Sequence, residues 1–98
     1  MSLTNSQIRY LRGLAHELKP VVMTGNKGLS EAVLKEFAIA LDHHELVKVK
    51  IGCEDRGERR AQIAELGERS GAELVQSIGR MACFYRRNPE QPRLALPK

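Results

Sequence analysis

The sequence predicts an α/β (α+β) fold, α-β-α-β-α-β-β, with a four-stranded mixed sheet packed on helices. Three observations carry this prediction: helical spacing of apolar residues in 5–17 and 31–43, apolar-polar alternation in 47–53, and two apolar runs, 74–78 and 81–86, around a two-residue turn. Strand-helix-strand connections favour parallel neighbouring strands, and the hairpin is expected to add an antiparallel edge.

The first helix is predicted over residues 5–17, where apolar residues share one face: Ile8, Leu11, Leu14, Ala15 and Leu18. Thr4 and Gln7 have the spacing of a capping box. Pro20 ends the helix because it lacks a backbone N–H and restricts Lys19 before it.

A short buried strand, a turn and a second helix follow. The strand is predicted at 21–24, and Ser30 is placed as the N-cap of a helix from Glu31 to about His43. Between them lies the turn Gly25-Asn26-Lys27-Gly28.

The second strand, residues 46–53, is predicted to have one apolar and one basic face. Its alternate residues Val47, Val49, Ile51 and Cys53 point one way, whereas Lys48 and Lys50 point the other.

A third helix and a hairpin complete the domain. Asp55 and Glu58 have capping-box spacing before a helix at about 56–70, and Gly71 is a suitable terminator. Strands 74–78 and 81–86 flank the turn Gly79-Arg80. Three prolines beyond Arg87 favour an extended tail, so we expect a domain at 1–87 and a tail at 88–98.

The chain has 98 residues, a net charge of +4 and a sequence pI of about 9.4, and its charge is unevenly distributed. Residues 1–29 hold four basic side chains and one acidic side chain, and residues 80–98 hold five basic and one acidic. In contrast, residues 30–79 hold seven basic and ten acidic side chains. Basic ends around an acidic middle suggest an anionic partner. Aromatic residues are only 4%, which disfavours a broad aromatic base-stacking platform.

Several classes of protein are disfavoured. The sequence has no apolar run of membrane-spanning length, and its start lacks the pattern of a signal peptide. Cys53 and Cys83 lie in apolar runs, so we expect two buried free thiols and a cytoplasmic protein.

The turn at 25–28 is the main candidate site. Its glycines allow close approach of an outside group, the following helix start offers unpaired N–H groups, and Lys27 adds positive charge. A Gly-x-x-Gly loop in this setting can clamp a nucleic-acid backbone. The alternative is an ordinary strand-to-helix turn, because the motif alone is weakly specific.

Catalytic and metal sites find no comparable support. Adjacent His43 and His44 point in different directions and lack a metal-ligand pattern, so a structural role is favoured. The sequence shows no nucleophile elbow or cofactor loop. We expect no enzyme activity, no cofactor and no metal.

Further basic residues are candidates for a nucleic-acid patch, although each alone is explained by solubility. Beside Lys27 they are Arg9, Arg12, Lys19, Lys48, Lys50, Arg80 and Arg86.

Three separated segments resemble the CRM domain, the chloroplast RNA splicing and ribosome maturation domain, particularly its bacterial stand-alone, YhbY-like form. The segments are 19–30, which contains the Gly-x-x-Gly loop, 40–50, with Asp-His-His-Glu-Leu-Val-Lys-Val-Lys at 42–50, and 78–87, with Ile-Gly-Arg and Phe-Tyr-Arg-Arg. Together the similarity covers roughly residues 3–87.

This resemblance implies a fold similar to the C-terminal domain of translation initiation factor 3, and RNA binding. It also implies association with precursor large ribosomal subunits, with Gly25, Asn26, Lys27 and Gly28 as the RNA contact. Other residues at matching family positions are Lys19, Lys48, Lys50, Tyr85 and Arg86.

The leading hypothesis is therefore a non-catalytic, monomeric RNA-binding protein that binds ribosomal RNA and assists large-subunit assembly. The alternative is a protein-interaction module that docks its basic surface on an acidic ribosomal or assembly-factor partner.

Overall fold

Three helices and four strands follow one another in the predicted order. The computed structural model describes residues 3–25, 28–92 and 94–97. Its elements are α1 (Asn5–His16), β1 (Val22–Met23), α2 (Glu31–His44), β2 (Leu46–Lys50), α3 (Arg56–Ser70), β3 (Glu73–Ile78) and β4 (Met81–Tyr85). The predicted fold class and mixed sheet are confirmed. No helix in the described ranges combines the length and apolarity needed to cross a membrane.

The predicted helix starts are confirmed. The Thr4 hydroxyl accepts the Gln7 N–H in a complete capping box. The Ser30 hydroxyl accepts the N–H of Val33, and the Asp55 carboxylate accepts that of Glu58 at 2.8 Å. Each cap satisfies a first-turn donor that has no partner inside its helix.

The strand order is β1-β2-β4-β3, which corrects one expectation. β1 and β2 are parallel neighbours, but β2 and β3 are separated by β4, which pairs antiparallel with both. The hairpin therefore places β4 inside the sheet and β3 at its edge. Four consecutive residues of β4, 82–85, are buried, so this strand needs cover on both faces, whereas much of β3 is exposed.

The face of the sheet covered by α2 and α3 holds the larger core. Val47, Val49 and Ile51 point into it, as the alternation predicts, and the Phe37 ring meets the Phe84 ring edge to face at 5.2 Å between centroids.

The opposite face is covered only in part. Leu11 and Ala15 of α1 pack on Leu46, Cys83 and Tyr85, near the start of β2 and the end of β4. Both cysteines are free and buried, as predicted. The other half of this face, toward the end of β2, remains open to solvent.

The residues after Tyr85 form no helix or strand in the described segments, but they return to the domain. Leu94 and Leu96 pack beside α1, and the Gln7 amide donates to the Pro97 carbonyl. The expected extended tail is therefore a docked segment. Its anchor is a residue that sequence reasoning did not single out, the buried Glu45.

Glu45 ends α2 with a left-handed backbone, φ 62°. Its carboxylate accepts the N–H groups of Asn88 and Leu94, both at 2.7 Å, and its carbonyl accepts the Arg86 N–H. One buried carboxylate therefore fixes the path of the chain beyond β4.

Candidate nucleic-acid interface

The Gly-x-x-Gly loop joins the end of β1 to the start of α2, as predicted. Gly25 and Gly28 face each other in an antiparallel bridge, and the Gly28 N–H donates to the Gly25 carbonyl at 3.2 Å. Gly28 has φ +88°, a conformation that favours glycine. Asn26 and Lys27, the tip of the predicted site, lie outside the described residues.

A polar cluster that the sequence did not suggest fixes the base of this loop. The buried Thr24 hydroxyl accepts the Gly52 N–H at 2.9 Å and donates to the Gln62 side-chain oxygen at 3.4 Å. The loop is thus joined at its base both to the segment after β2 and to α3. These hydrogen bonds fix Thr24, the residue before the loop, beside the end of β2 and α3.

The open half of the sheet face lies beside the loop, and we call it the open strip. Strand alternation and register place Val21, Met23, Lys48, Lys50 and Ile78 on it. One cross-strand row consists of Met23, Lys50, Met81 and Ile78. It runs from the end of β1, beside the loop, to the hairpin turn. No strand residue of this half of the face carries a carboxylate.

The two lysines of the open strip are available to an outside anion. In the part of the chain that the structure describes, neither forms an ion pair, and Lys50 is exposed. The backbone carbonyls of the two lysines accept the N–H groups of Val21 and Thr24, the residues on either side of β1, but their side chains point away from α2 and α3. The prediction that one face of the second strand is basic is therefore confirmed, and this face lies on the side of the sheet away from α2 and α3.

The other basic candidates differ in their surroundings. Arg9 and Lys19 are exposed, and Arg12 is exposed while its Nε donates to the Val75 carbonyl at the β3 edge. Arg80, in the hairpin turn, pairs with Glu54 at 3.0 Å, so part of its charge is neutralised. The Arg80 carbonyl accepts the Ile51 N–H, which fixes the turn beside the end of β2.

Two sequence candidates lie in structural positions. Tyr85 is only 6% exposed and packs under α1. The Arg86 guanidinium donates to the carbonyls of Ser70 and Ala38 and pairs with Asp42 at 2.8 Å, so it joins the ends of α2 and α3. Neither side chain is presented to a partner as predicted, because each is occupied by the fold itself.

The structure shows where the acidic side chains of the middle of the sequence lie. The exposed carboxylates of residues 31–68 belong to α2 and α3, on the layer opposite the open strip, and to the segment before α3, where Glu54 pairs with Arg80 of the hairpin turn. Some of them pair locally, as Arg69 does with Glu31 and Glu65. The uneven charge along the sequence thus becomes a difference between the two faces of the sheet.

The start of α2 is a weaker anion site than its sequence suggests. The Ser30 hydroxyl already takes the Val33 N–H, and Glu31 places a negative charge in the first turn. His43 and His44 are both exposed, and the described residues contain no group of three or more His, Cys, Asp or Glu that could hold a metal ion.

The exposed apolar residues of the open strip were missed by sequence reasoning. Residues 21–24 had the composition of a buried strand, yet Met23 is 63% exposed, and Ile78 in the hairpin is 65% exposed. The available signal was the alternation with Lys48 and Lys50, which marks this face of the neighbouring strand as polar. It could not show that α1 stops short of covering the face.

The fold is expected to lose stability in alkali. Burial raises the pKa of the Cys83 thiol above its ordinary 9.0, and burial together with Glu45 raises the pKa of Tyr85 above 10.0. Both groups therefore hold their protons more tightly when folded, so their contribution is complete below pH 9 and is lost as pH rises through the folded pKa values. Urea unfolding measured from pH 8 to pH 11 should show this fall. Tyr85→Phe should flatten its upper part, and an equally steep fall in that variant would contradict the assignment.

These features define a class of small α/β domain, in which a Gly-x-x-Gly loop joins a strand to a helix beside an uncovered, lysine-bearing sheet face. The chain belongs to the CRS1/YhbY (CRM) domain family, whose sequence model matches residues 3–86. The family resemblance seen in the sequence is thereby confirmed.

Relatives of the chain agree with this membership. It is 47% identical over 90 residues to a Pseudomonas aeruginosa protein named "Probable RNA-binding protein", with 92% of this chain and 86% of the relative covered. It is 42% identical over 97 residues to a Haemophilus influenzae protein named "RNA-binding protein", with 99% of this chain and 97% of the relative covered. The solution structure of a Staphylococcus aureus protein matches with a TM-score of 0.84 at 35% identity, covering 98% of this chain and all of that one.

Proposed function

We propose that this protein is a non-catalytic RNA-binding protein that binds ribosomal RNA and assists assembly of the large ribosomal subunit. The observation that carries RNA binding is the junction of the Gly-x-x-Gly loop with the open strip, where two lysines lie on a surface without carboxylates. The RNA-binding names of the relatives support the same partner.

The electrostatic difference between the two faces supports one orientation on RNA. Phosphate contacts by lysine and arginine supply most of the sequence-independent affinity for nucleic acid. The charges of α2 and α3 nearly cancel, because the two helices together carry six acidic and five basic side chains, whereas α1 and the open strip together carry four basic side chains and no carboxylate and would attract a phosphate backbone. RNA therefore approaches from the α1 side.

The proposed contacts have distinct roles. The loop residues 25–28 hold the RNA backbone, with Lys27 as the cation, and Lys48 and Lys50 extend the contact across the sheet. Lys19, Arg9 and Arg12 widen the basic surface, and Arg80 borders it at the turn. Tyr85 and Arg86 are omitted because the fold occupies them.

The ribosomal part of the proposal follows from the family resemblance rather than from geometry. In this proposal the protein is a monomer that acts in the cytoplasm, on RNA of a precursor large subunit. The alternative is that the basic surface docks on an acidic protein of the particle. Sedimentation with ribosomal particles after nuclease treatment separates the two, because association that survives the loss of RNA would favour protein contacts.

The loop is tested by Gly25→Asp with Gly25→Asn as its matched control. A Cβ at Gly25 meets no atom of the described residues within 4 Å and its φ is not positive, so both variants should fold. We expect Gly25→Asp to lower the affinity for ribosomal RNA at least about tenfold, since it sets a carboxylate against phosphate. Gly25→Asn has the same shape without the charge and should lose much less.

Salt dependence is the second measurement in this experiment. If about five phosphates are neutralised, the slope of log affinity against log salt is about −3.5 on a single strand. A folded Gly25→Asp protein with unchanged affinity would remove the loop from the mechanism, and salt-insensitive binding would contradict the phosphate model.

A further inference from the structure

We infer that the open strip holds unpaired bases, so that the protein selects single-stranded RNA over a duplex of the same sequence. This inference rests on the proposed RNA binding and extends it from the backbone to the bases. The loop and lysines would hold phosphates, while Val21, Met23 and Ile78 would contact base faces.

The exposure of these three side chains is the first observation. Val21, Met23 and Ile78 are 51%, 63% and 65% exposed, although Val21 adjoins β1 and the other two lie in strands whose other face is a packed core. Met23 and Ile78 lie in the same cross-strand row, separated by Lys50 and Met81. Covering an apolar surface of neighbouring strands with an apolar partner is favourable, because it removes that surface from water.

The charge around this surface indicates which partner fits. Lys48 and Lys50 lie side by side on β2, with Met23 on one side and Met81 and Ile78 on the other, and the row ends beside the loop. An unpaired nucleotide offers the matching chemistry, a flat apolar base joined to a negatively charged phosphate. A duplex offers only the phosphate, because its base faces are already stacked.

The contact differs from an aromatic stacking platform. Phe37, Phe84 and Tyr85 are buried, so of the four aromatic residues only Tyr10, on α1, is substantially exposed. Aliphatic side chains can cover any base face, so the strip should favour unpaired bases with little preference for their sequence.

The test combines a change in the protein with a change in the RNA. The double variant Met23→Thr/Ile78→Thr places a β-branched residue, which suits a strand, at both positions and keeps every lysine. Its affinity and that of the wild type are measured for a fluorescent 12-nucleotide single strand, for the same strand with abasic sites at its central positions, and for the corresponding duplex.

The wild type should bind the intact strand about five- to tenfold more tightly than either the abasic strand or the duplex. The double variant should bind the intact strand nearly as weakly as the wild type binds the abasic one, with little further loss on removing bases, because only Val21 of the three apolar contacts remains. Leu74→Thr is the control, since Leu74 is 42% exposed on β3 but pairs with Phe84 and so faces the other layer.

The possible failures are distinguishable. Equal wild-type affinity for intact and abasic strands, with a loss still caused by Gly25→Asp, would overturn this inference alone. A wild type that binds none of the three RNAs would overturn the proposed function. A double variant that keeps its RNA affinity but no longer joins nuclease-treated ribosomal particles would assign the strip to a protein partner and overturn the inference.

Discussion

Replacing Gly52 by alanine should lower the free energy of unfolding by about 3 kcal/mol, as expected for severe overpacking. A Cβ at this position would overlap the Thr24 carbonyl oxygen and lie 3.2 Å from its carbon. Both are backbone atoms, so no side chain can rotate away. The segment after β2 would have to separate from the end of β1, which also breaks the hydrogen bond from Gly52 to the Thr24 hydroxyl.

Urea denaturation of Gly52→Ala beside Gly13→Ala makes this measurement specific. Gly13 lies within α1, and a Cβ there meets no described atom within 4 Å, so its replacement should stabilise the protein by up to about 1 kcal/mol. Because Gly52 supports the loop base, Gly52→Ala should also weaken RNA binding under conditions where it is folded. A loss of stability below about 1 kcal/mol would show that the two segments can move apart at little cost.

Replacing Glu45 by alanine should cost about 3 kcal/mol and release the segment that follows Arg87. The change removes the acceptor for the N–H groups of Asn88 and Leu94, and each hydrogen bond to a charged group contributes about 1.5–3 kcal/mol. Leu94 and Leu96 would then lose the anchor that holds them beside α1. Urea unfolding gives the stability, and limited proteolysis should show faster cleavage within residues 88–97.

Glu90→Ala provides the matched control because its exposed side chain belongs to the same segment, and it should change stability by less than about 0.5 kcal/mol. Glu45→Gln keeps the size of the side chain but turns an amide donor toward one of the two N–H groups, so it should also destabilise the protein. Wild-type protease resistance in both Glu45 variants would show that apolar packing alone holds the segment.

Local chemistry explains why so much of the fold could be predicted from the sequence. Thr4, Ser30 and Asp55 mark helix starts because a cap needs only residues three positions apart. The alternation around Lys48 and Lys50 similarly depends on one strand alone. These predictions needed no knowledge of distant contacts, and the structure confirms them.

The strand order and much of the candidate site depend on distant contacts, which no local pattern contains. β4 lies between β2 and β3, and four of its consecutive residues are buried. Its central position therefore depends on packing against both faces of the sheet, which its own sequence pattern does not contain. Arg86 has the sequence appearance of a surface cation, but Asp42 and the carbonyls of Ser70 and Ala38 surround its guanidinium. Met23 has the apolar side chain of a core residue, yet α1 does not cover it and the side chain is exposed to solvent.

The central position of β4 has a consequence for how the chain folds during synthesis. β1, α2 and β2 can pair as soon as they leave the ribosome, but β3 has no partner strand until residues 81–85 follow. The segment that packs on α1 emerges later still, although α1 is made first. Completion of the domain therefore waits until Leu94 and Leu96 have been made, and the slow step of folding is expected to be the closure of these long-range contacts.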